Sequence, residues 1–358
     1  MINSYSEFQP LKEVVVGRGY PPDYFDCVTD HETRTTLQHI FREIEEDFEF
    51  LVKTLEDFGV VVTRPALIGK LEFELSVRQN RPVLPPITPR DRQSVYGNKL
   101  VRFSDWPTFA PMINYYHKKF PDQVILPKGL DLVRMTEANA SCIFKLGRDI
   151  WFDESNWLTA DHTEWLKQHI LTDPNYRFHH MTTNGHSDCV FSVLKPGVIL
   201  TCFHDAGVAY QDDFAGWELY RVDRPSIERF TQFRDELHPG QNWWVPGKDN
   251  LLQFRSYVDQ YLNHWVGEIH ETVFDVNCLS VDTKHVIFAC YNKEVFDYCE
   301  SHGITPVLCE LRHRFFFDGG THCCTLDIHR EGGMEDYFEW IYIQFGQTKK
   351  VTSVTLIL

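Results

Sequence analysis

The chain has 358 residues, with 35 Lys+Arg against 51 Asp+Glu and a formal net charge of −16. A 43% hydrophobic content that includes 27 Phe, 15 Tyr and 9 Trp supplies ample apolar area for a core and excludes bulk disorder. The acidic balance argues against a nucleic-acid or anionic-membrane partner, because neutralising phosphates needs a basic face, and it suits a cationic small molecule.

The N-terminal segment has no basic stretch followed by an apolar one, so no secretory signal is expected. Leu11 to Val16 reads as a strand closed by Gly17. From Asp30 to Phe58, Leu37, Ile40, Phe41, Ile44, Phe48, Leu51, Val52 and Leu55 recur at helical spacing and predict a long amphipathic helix. Val60 to Thr63 reads as the next strand. Residues 75–90 hold Pro82, Pro85, Pro86 and Pro89 and read as a loop that delivers Asp91 to a strand-like run, Val95 to Phe103. Further strands are expected at Ile143 to Phe152, Val190 to Cys202, Val286 to Tyr291 and Pro306 to Leu311. Helices are expected at Thr163 to Ile170, Tyr257 to Trp265 and Lys293 to Ser301. This alternation, with no low-complexity linker, predicts an α/β architecture in a single domain, residues 1–358. No apolar run approaches the ~18 residues of a spanning helix, and the apolar tail Val351 to Leu358 is too short. Ten cysteines without CxxC spacing, two of them the adjacent Cys323 and Cys324, favour a reduced, cytoplasmic protein over a disulfide framework.

Three places concentrate reactive side chains. In Asp318-Gly-Gly-Thr-His-Cys-Cys-Thr-Leu-Asp327, paired glycines permit close backbone approach, and His322 beside Cys323 could lower a thiol pKa. A glycine turn leading into a core strand with buried cysteines is an equal reading of that spacing. His186 and Asp188 stand two apart before an apolar run, so on a strand they share a face and could divide proton transfer and cation binding. Asp91 follows the proline-rich loop. His179, His180 and His186 with Cys323 and Cys324 could furnish zinc ligands, but their spacing matches no standard pattern, and no metal is expected.

Four segments together resemble the glycine and inosamine-phosphate amidinotransferases of the guanidino-group modifying superfamily: FQPLKEVVVG (8–17), PRD with YGN (89–91, 96–98), GHSDCVFSVLKPGVIL (185–200) and DGGTHCCTLDIHREG (318–332). The resemblance implies a fivefold pseudosymmetric α/β propeller of the pentein kind. It implies Cys323 as nucleophile on a guanidinium carbon, His186 as the proton donor and acceptor, and Asp91 and Asp188, with His322 close by, as holders of the planar cation. It implies no cofactor, a small-molecule guanidino donor and amine acceptor as partners, and a homodimer.

The sequence departs from the family pattern in three places. The acidic residue supporting the family histidine falls on Asn139, with Glu137 as a chemical alternative two residues earlier. Where the family has an arginine for an amino-acid carboxylate, this sequence has Asp205, and the family's serine pair falls near His270 and Glu271. An acidic group there repels a free carboxylate, so the acceptor is not expected to be glycine. Cys324 replaces a family tryptophan and is expected to pack. The alternatives to transfer are a deiminase, in which water takes the place of the amine, and a non-catalytic guanidine binder.

Overall fold

The computed structural model describes residues 1–104, 106–136, 138–183, 186–202, 213–222, 241–248, 250–267 and 273–338. Its N-terminal elements follow the sequence pattern closely. Strand β1 (Leu11–Val16) precedes helix α1 (His31–Asp57), whose apolar stripe is buried from Leu37 to Leu55. The Asp30 carboxylate caps α1 by accepting from the Thr33 amide at 2.7 Å, which satisfies one of the otherwise orphaned N–H groups of the first turn. Strand β2 (Val61–Thr63) then runs parallel to β1. The stretch expected as a loop over 75–90 begins inside a helix, Lys70–Arg78, which ends before Pro82.

Three stretches that read as single strands fold back on themselves at a glycine. They are the hairpins β3 (Gln93–Tyr96) with β4 (Lys99–Arg102), β6 (Ile143–Leu146) with β7 (Asp149–Asp153), and β9 (Phe191–Lys195) with β10 (Val198–Thr201). In register, Tyr96 faces Lys99, Leu146 faces Asp149 and Lys195 faces Val198, leaving two-residue turns. Gly97, Gly147 and Gly197 take φ of 57°, 67° and 85°, the left-handed values such turns need. The resemblance marked a Pro-Gly turn at Pro196-Gly197, but the reversals at Gly97 and Gly147 were missed.

Each hairpin leads to a third, parallel strand. β5 (Val124–Ile125) pairs with β4 after the helix Ala110–Lys119, and β8 (Arg177–Met181) pairs with β7 after the helix Ala160–His169. β11 (Glu218–Arg221) pairs with β10. β12 (Leu279–Ser280) and β13 (His285–Phe288) form a fourth hairpin, joined by β14 (Thr305–Leu308) after the helix Lys293–Ser301. The last strand, β15 (Thr325–Arg330), pairs antiparallel with β1, so the two ends of the chain complete the fifth sheet, β15-β1-β2. The five sheets repeat one plan, a structural repeat that the sequence does not display as a literal one. The expected helix at 257–265 is a helix over Leu252–Tyr257 continued by one wider turn, Val258–Leu262.

Apolar wedges between neighbouring sheets close the ring. In β9, Phe191 and Val193 pack with Phe144 and Trp151 of the preceding sheet, while Leu194 packs with Val286 and Phe288 of the following one. In β1, Val15 joins Val95 and Leu100, whereas Val14 and Val16 join Leu279 and Ile287. The two-residue period of a strand thus feeds two different wedges, which explains why these strands are apolar on both faces. The architecture is the fivefold pseudosymmetric α/β propeller. No described helix is long and apolar enough to cross a membrane, and no disulfide joins any of the ten cysteines.

Candidate active site

The repeat places one polar position immediately before the first strand of each hairpin. Asp91 precedes β3 by two residues, Ser141 precedes β6 by two, Asp188 precedes β9 by three, and Cys323 precedes β15 by two. The equivalent position before β12 is Asn277. Each lies at or beside a short helical turn or bend. Asp91 sits in the one-turn helix Pro89–Arg92 and Asp188 in Ser187–Val190, so His186 and Asp188 share a turn and not the strand face the alternation suggested. Asn139 similarly caps the turn Ala140–Cys142.

All of these side chains are buried and meet at the ring's centre. Cys323 Sγ lies 3.4 Å from Asp188 Oδ2 and 2.9 Å from Asn277 Nδ2. Asn277 Oδ1 accepts from the amides of both His322 and Cys323, each at 3.1 Å, and so fixes the loop that carries the sulfur. Gly320 makes this possible: a Cβ there would stand 2.5 Å from the Asn277 carbonyl and amide oxygens. The paired glycines were expected to let the backbone approach a ligand; at Gly320 the close approach is to Asn277 instead. Asn277 was not singled out from the sequence. Its signal was positional only, two residues ahead of an apolar run like Asp91 and Cys323.

On the other side of the site, Ser141 Oγ donates to Asp91 Oδ1 at 2.6 Å, and His186 Nδ1 lies 3.9 Å from that same oxygen. Asn139 Nδ2 is 2.7 Å from His186 Nε2. The Ser141 amide donates to Asn139 Oδ1 at 3.0 Å, which decides which end of the carboxamide meets the ring. The NH2 group therefore faces Nε2, and Nδ1 is the edge turned toward Asp91. The register that put Asn139 beside the histidine is the one the geometry has. Glu137 and Asp205, together with His270 and Glu271, lie outside the described residues.

His322 is held from both ends. Its Nδ1 is 2.7 Å from Asp188 Oδ2 and its Nε2 is 3.2 Å from Glu7 Oε2, so its ring nitrogens face two carboxylates and not an open site. Burial and Arg90 press the imidazole toward neutrality, but the two carboxylates outweigh them and raise its pKa above the ordinary value. Burial likewise works against ionised Glu7, yet Lys145, His322 and Arg90 bring its pKa down to about 2. Asp188 is lowered against burial by the hydrogen bond and charge of His322. Beneath them Arg90 donates to Asp327 Oδ1 at 2.7 Å and to the His322 and Thr325 carbonyls, and Arg330 donates to Asp327 Oδ2 at 2.7 Å. A buried floor of alternating charges thus keeps Asp188 ionised. Its second oxygen, Oδ1, is buried with no hydrogen-bond partner among the described residues, an acceptor left open.

This arrangement can hold a planar cation between Asp91 and Asp188 while presenting a sulfur to it. Asp188, Cys189 and Cys323 also bring three ligand atoms within 4.8 Å of one another, the one such cluster among the described residues. The histidines considered as zinc ligands are engaged elsewhere: His179 meets Asp149 at 2.6 Å, and His180 meets Glu154 at 3.1 Å. Cys324 packs in the apolar cluster of Phe316, Phe317 and Trp265.

No protein-family model matches the chain. A Xenopus laevis protein, the mitochondrial glycine amidinotransferase, is 24% identical over 399 residues, spanning 94% of this chain and 84% of its own length. An L-arginine:L-lysine amidinotransferase of Pseudomonas savastanoi pv. phaseolicola is 24% identical over 204 residues, 56% of this chain and 46% of that protein. Among solved structures, the inosamine-phosphate amidinotransferase of Streptomyces griseus aligns with a TM-score of 0.67 at 17% identity, covering 94% of this chain and 99% of that one.

Proposed function

We propose that this chain, an enzyme of the amidinotransferase family by its sequence relatives and its fold, moves an amidino group from an arginine-like guanidine to an amine other than glycine through a covalent bond to Cys323. The observation that carries this reading is the convergence of Cys323 Sγ with the ionised Asp188 and the Asn277 amide at hydrogen-bonding distance. Asp91 and Asp188 bind the guanidinium edge-on through paired N–H donors. The Cys323 thiolate adds to the guanidinium carbon. The carbon–nitrogen bond to the alkyl chain then breaks, and the departing amine leaves with a proton from the protonated form of His186. The sulfur is left carrying a cationic amidino group, which the same two carboxylates hold. An incoming amine loses its proton to neutral His186, adds to the carbon and expels the thiolate, which restores the starting state.

Asp205 is the reason for excluding glycine. An acidic side chain where the family has a carboxylate-binding arginine disfavours an acceptor whose carboxylate lies next to its amine. Intact-protein mass spectrometry after mixing with arginine, agmatine or guanidinoacetate, with analysis of the released amine, tests the reading. One amidino group on the Cys323 peptide, with ornithine, putrescine or glycine released, is the expected result, and Cys323→Ala should lose it while remaining folded. Citrulline or carbamoylputrescine with ammonia would replace the transferase reading by a deiminase.

A further inference from the structure

The site holds a second sulfur that the transfer reaction does not use. Cys189 is buried in the turn Ser187–Val190, one residue after Asp188. The ring brings it to the donor that also serves the nucleophile: Asn277 Nδ2 lies 2.9 Å from Cys189 Sγ and 2.9 Å from Cys323 Sγ. The two sulfurs and an Asp188 carboxylate oxygen all lie within 4.8 Å of one another. A disulfide bond is about 2.05 Å long, so the sulfurs need to approach by no more than about 2.8 Å. One rotamer change of a cysteine carries its sulfur about that far.

Two other cysteines stand near Cys323 in sequence or beside Asn277, and neither is placed to bond it. Cys324 packs among Phe316, Phe317 and Trp265, and a bond between adjacent cysteines is strained. Cys278 meets Ser192 Oγ at 3.1 Å, and burial pushes its thiol pKa up. The charge around Cys323 also favours oxidation. Asp188 Oδ2 stands 3.4 Å from the sulfur, so a thiolate faces a like charge whenever no cation lies between them. A neutral disulfide removes that repulsion.

We propose that Cys189 is the resolving thiol of Cys323, which gives the site a second, redox chemistry with a hydroperoxide as oxidant. The Cys323 thiolate attacks a peroxide oxygen and the O–O bond breaks. Water or an alcohol leaves with a proton from solvent, and Cys323 becomes a sulfenic acid. Cys189 then attacks the Cys323 sulfur, the S–O bond breaks, and the hydroxyl leaves as water with the Cys189 proton. The peroxide gains the two electrons that the two sulfurs lose. Two equivalents of an external thiol return both cysteines and are themselves joined as a disulfide. While it lasts, the bond occupies the sulfur that a guanidine would need. It also keeps Cys323 from the sulfinic acid, which thiols do not reduce.

The test treats reduced protein, freed of reducing agent, with hydrogen peroxide, blocks the remaining thiols with N-ethylmaleimide and maps peptides without reduction. Wild type should yield a cross-link that fragmentation places between Cys189 and Cys323, and Cys324→Ala should yield it too. Dithiothreitol should then restore iodoacetamide labelling of Cys323. Cys189→Ser keeps an oxygen to accept from Asn277 Nδ2, and labelling of its Cys323 before oxidation serves as the control for folding. After peroxide this variant should lose most of the labelling that dithiothreitol restores in wild type, with a sulfinic acid at Cys323. A wild-type Cys323 that reaches the sulfinic acid without the cross-link, bonds Cys324 instead, or stays reduced would overturn the proposal. Full recovery in Cys189→Ser would overturn it as well. None of these readouts needs a guanidine, so the redox pair and the transfer reading stand or fall separately.

Discussion

Alanine at position 277 removes five hydrogen bonds that do different things. Two are accepted by Asn277 Oδ1 from the His322 and Cys323 amides, and Nδ2 donates to Cys323 Sγ, to Cys189 Sγ and to the Asp188 carbonyl. Losing the acceptor leaves buried amides unsatisfied, at about 1–3 kcal/mol each. Losing the donor removes a hydrogen bond that strengthens when the sulfur is ionised, worth about 1.5–3 kcal/mol for a charged partner. At 1.36 kcal/mol per unit, the Cys323 thiol pKa should rise by about one to two units in Asn277→Ala. The assay is the pH dependence of iodoacetamide alkylation, followed on the peptide that carries Cys323 in a Cys324→Ala background so that the other cysteines do not interfere. Asn277→Asp is the control that separates the two effects. It keeps an acceptor for both amides and should recover stability relative to alanine, yet it sets a carboxylate oxygen against the sulfur and should not recover thiolate formation. A midpoint in Asn277→Ala within about 0.3 unit of wild type would refute the reasoning, because the thiolate would then owe nothing to the 2.9 Å contact.

Two further outcomes follow from the same geometry. Asn139→Asp exchanges an N–H donor for a carboxylate oxygen at His186 Nε2, which favours the imidazolium; the His186 pKa, read by NMR, should rise by about one to three units, and an unchanged value would mean that Asn139 does not set the ring's protonation state. The folded-state pKa values of Glu7, at about 2, and of Asp188 and Asp327, lowered, lie below those of the unfolded chain, so their stabilisation is complete above about pH 4 and is lost as pH falls through the folded values. His322 has the opposite sign: its raised pKa contributes fully below about pH 6.5, and the contribution fades as pH rises through the folded value. Urea unfolding midpoints should therefore drop steeply between about pH 4 and 2.5, and a flat profile there would contradict the ionised floor.

Much of the site was legible because its chemistry is carried by residue types that are rare in combination. A cysteine after paired glycines, a histidine two residues from an aspartate, and an aspartate after a proline-rich loop each read weakly alone, but their order along the chain carries the resemblance to the amidinotransferases, whose core the agmatine and arginine deiminases share. The long helix His31–Asp57 was legible from its apolar period, and the strand Leu11–Val16 from its β-branched run. The hairpins were not, because strands buried on both faces show no polar alternation to mark where the chain reverses. Pro196-Gly197 reads as a turn, but Gly97 and Gly147 alone mark the other two, and a lone glycine is also compatible with a bulge in one long strand. Asn277 escaped for a different reason. An asparagine has no reactivity of its own to attract notice, and its importance comes from the sulfur and the two amides that the fold brings to it.

That difference follows from the ring. Each sheet contributes the residue just ahead of its first hairpin strand, so the centre receives one polar side chain from each of five segments far apart in sequence. A carboxylate at one such place is useful only if the others supply what it lacks. Asp188 would be expensive to bury alone, and His322 and Arg90 keep it ionised from two other segments of the chain. Breaking one member of a buried ionic set costs about 3–5 kcal/mol, because its partners remain buried and unpaired. The pairing of β15 with β1 is therefore more than a closure of the fold. It brings Glu7 under His322, beside Cys323, so the charge state of the site depends on that pairing.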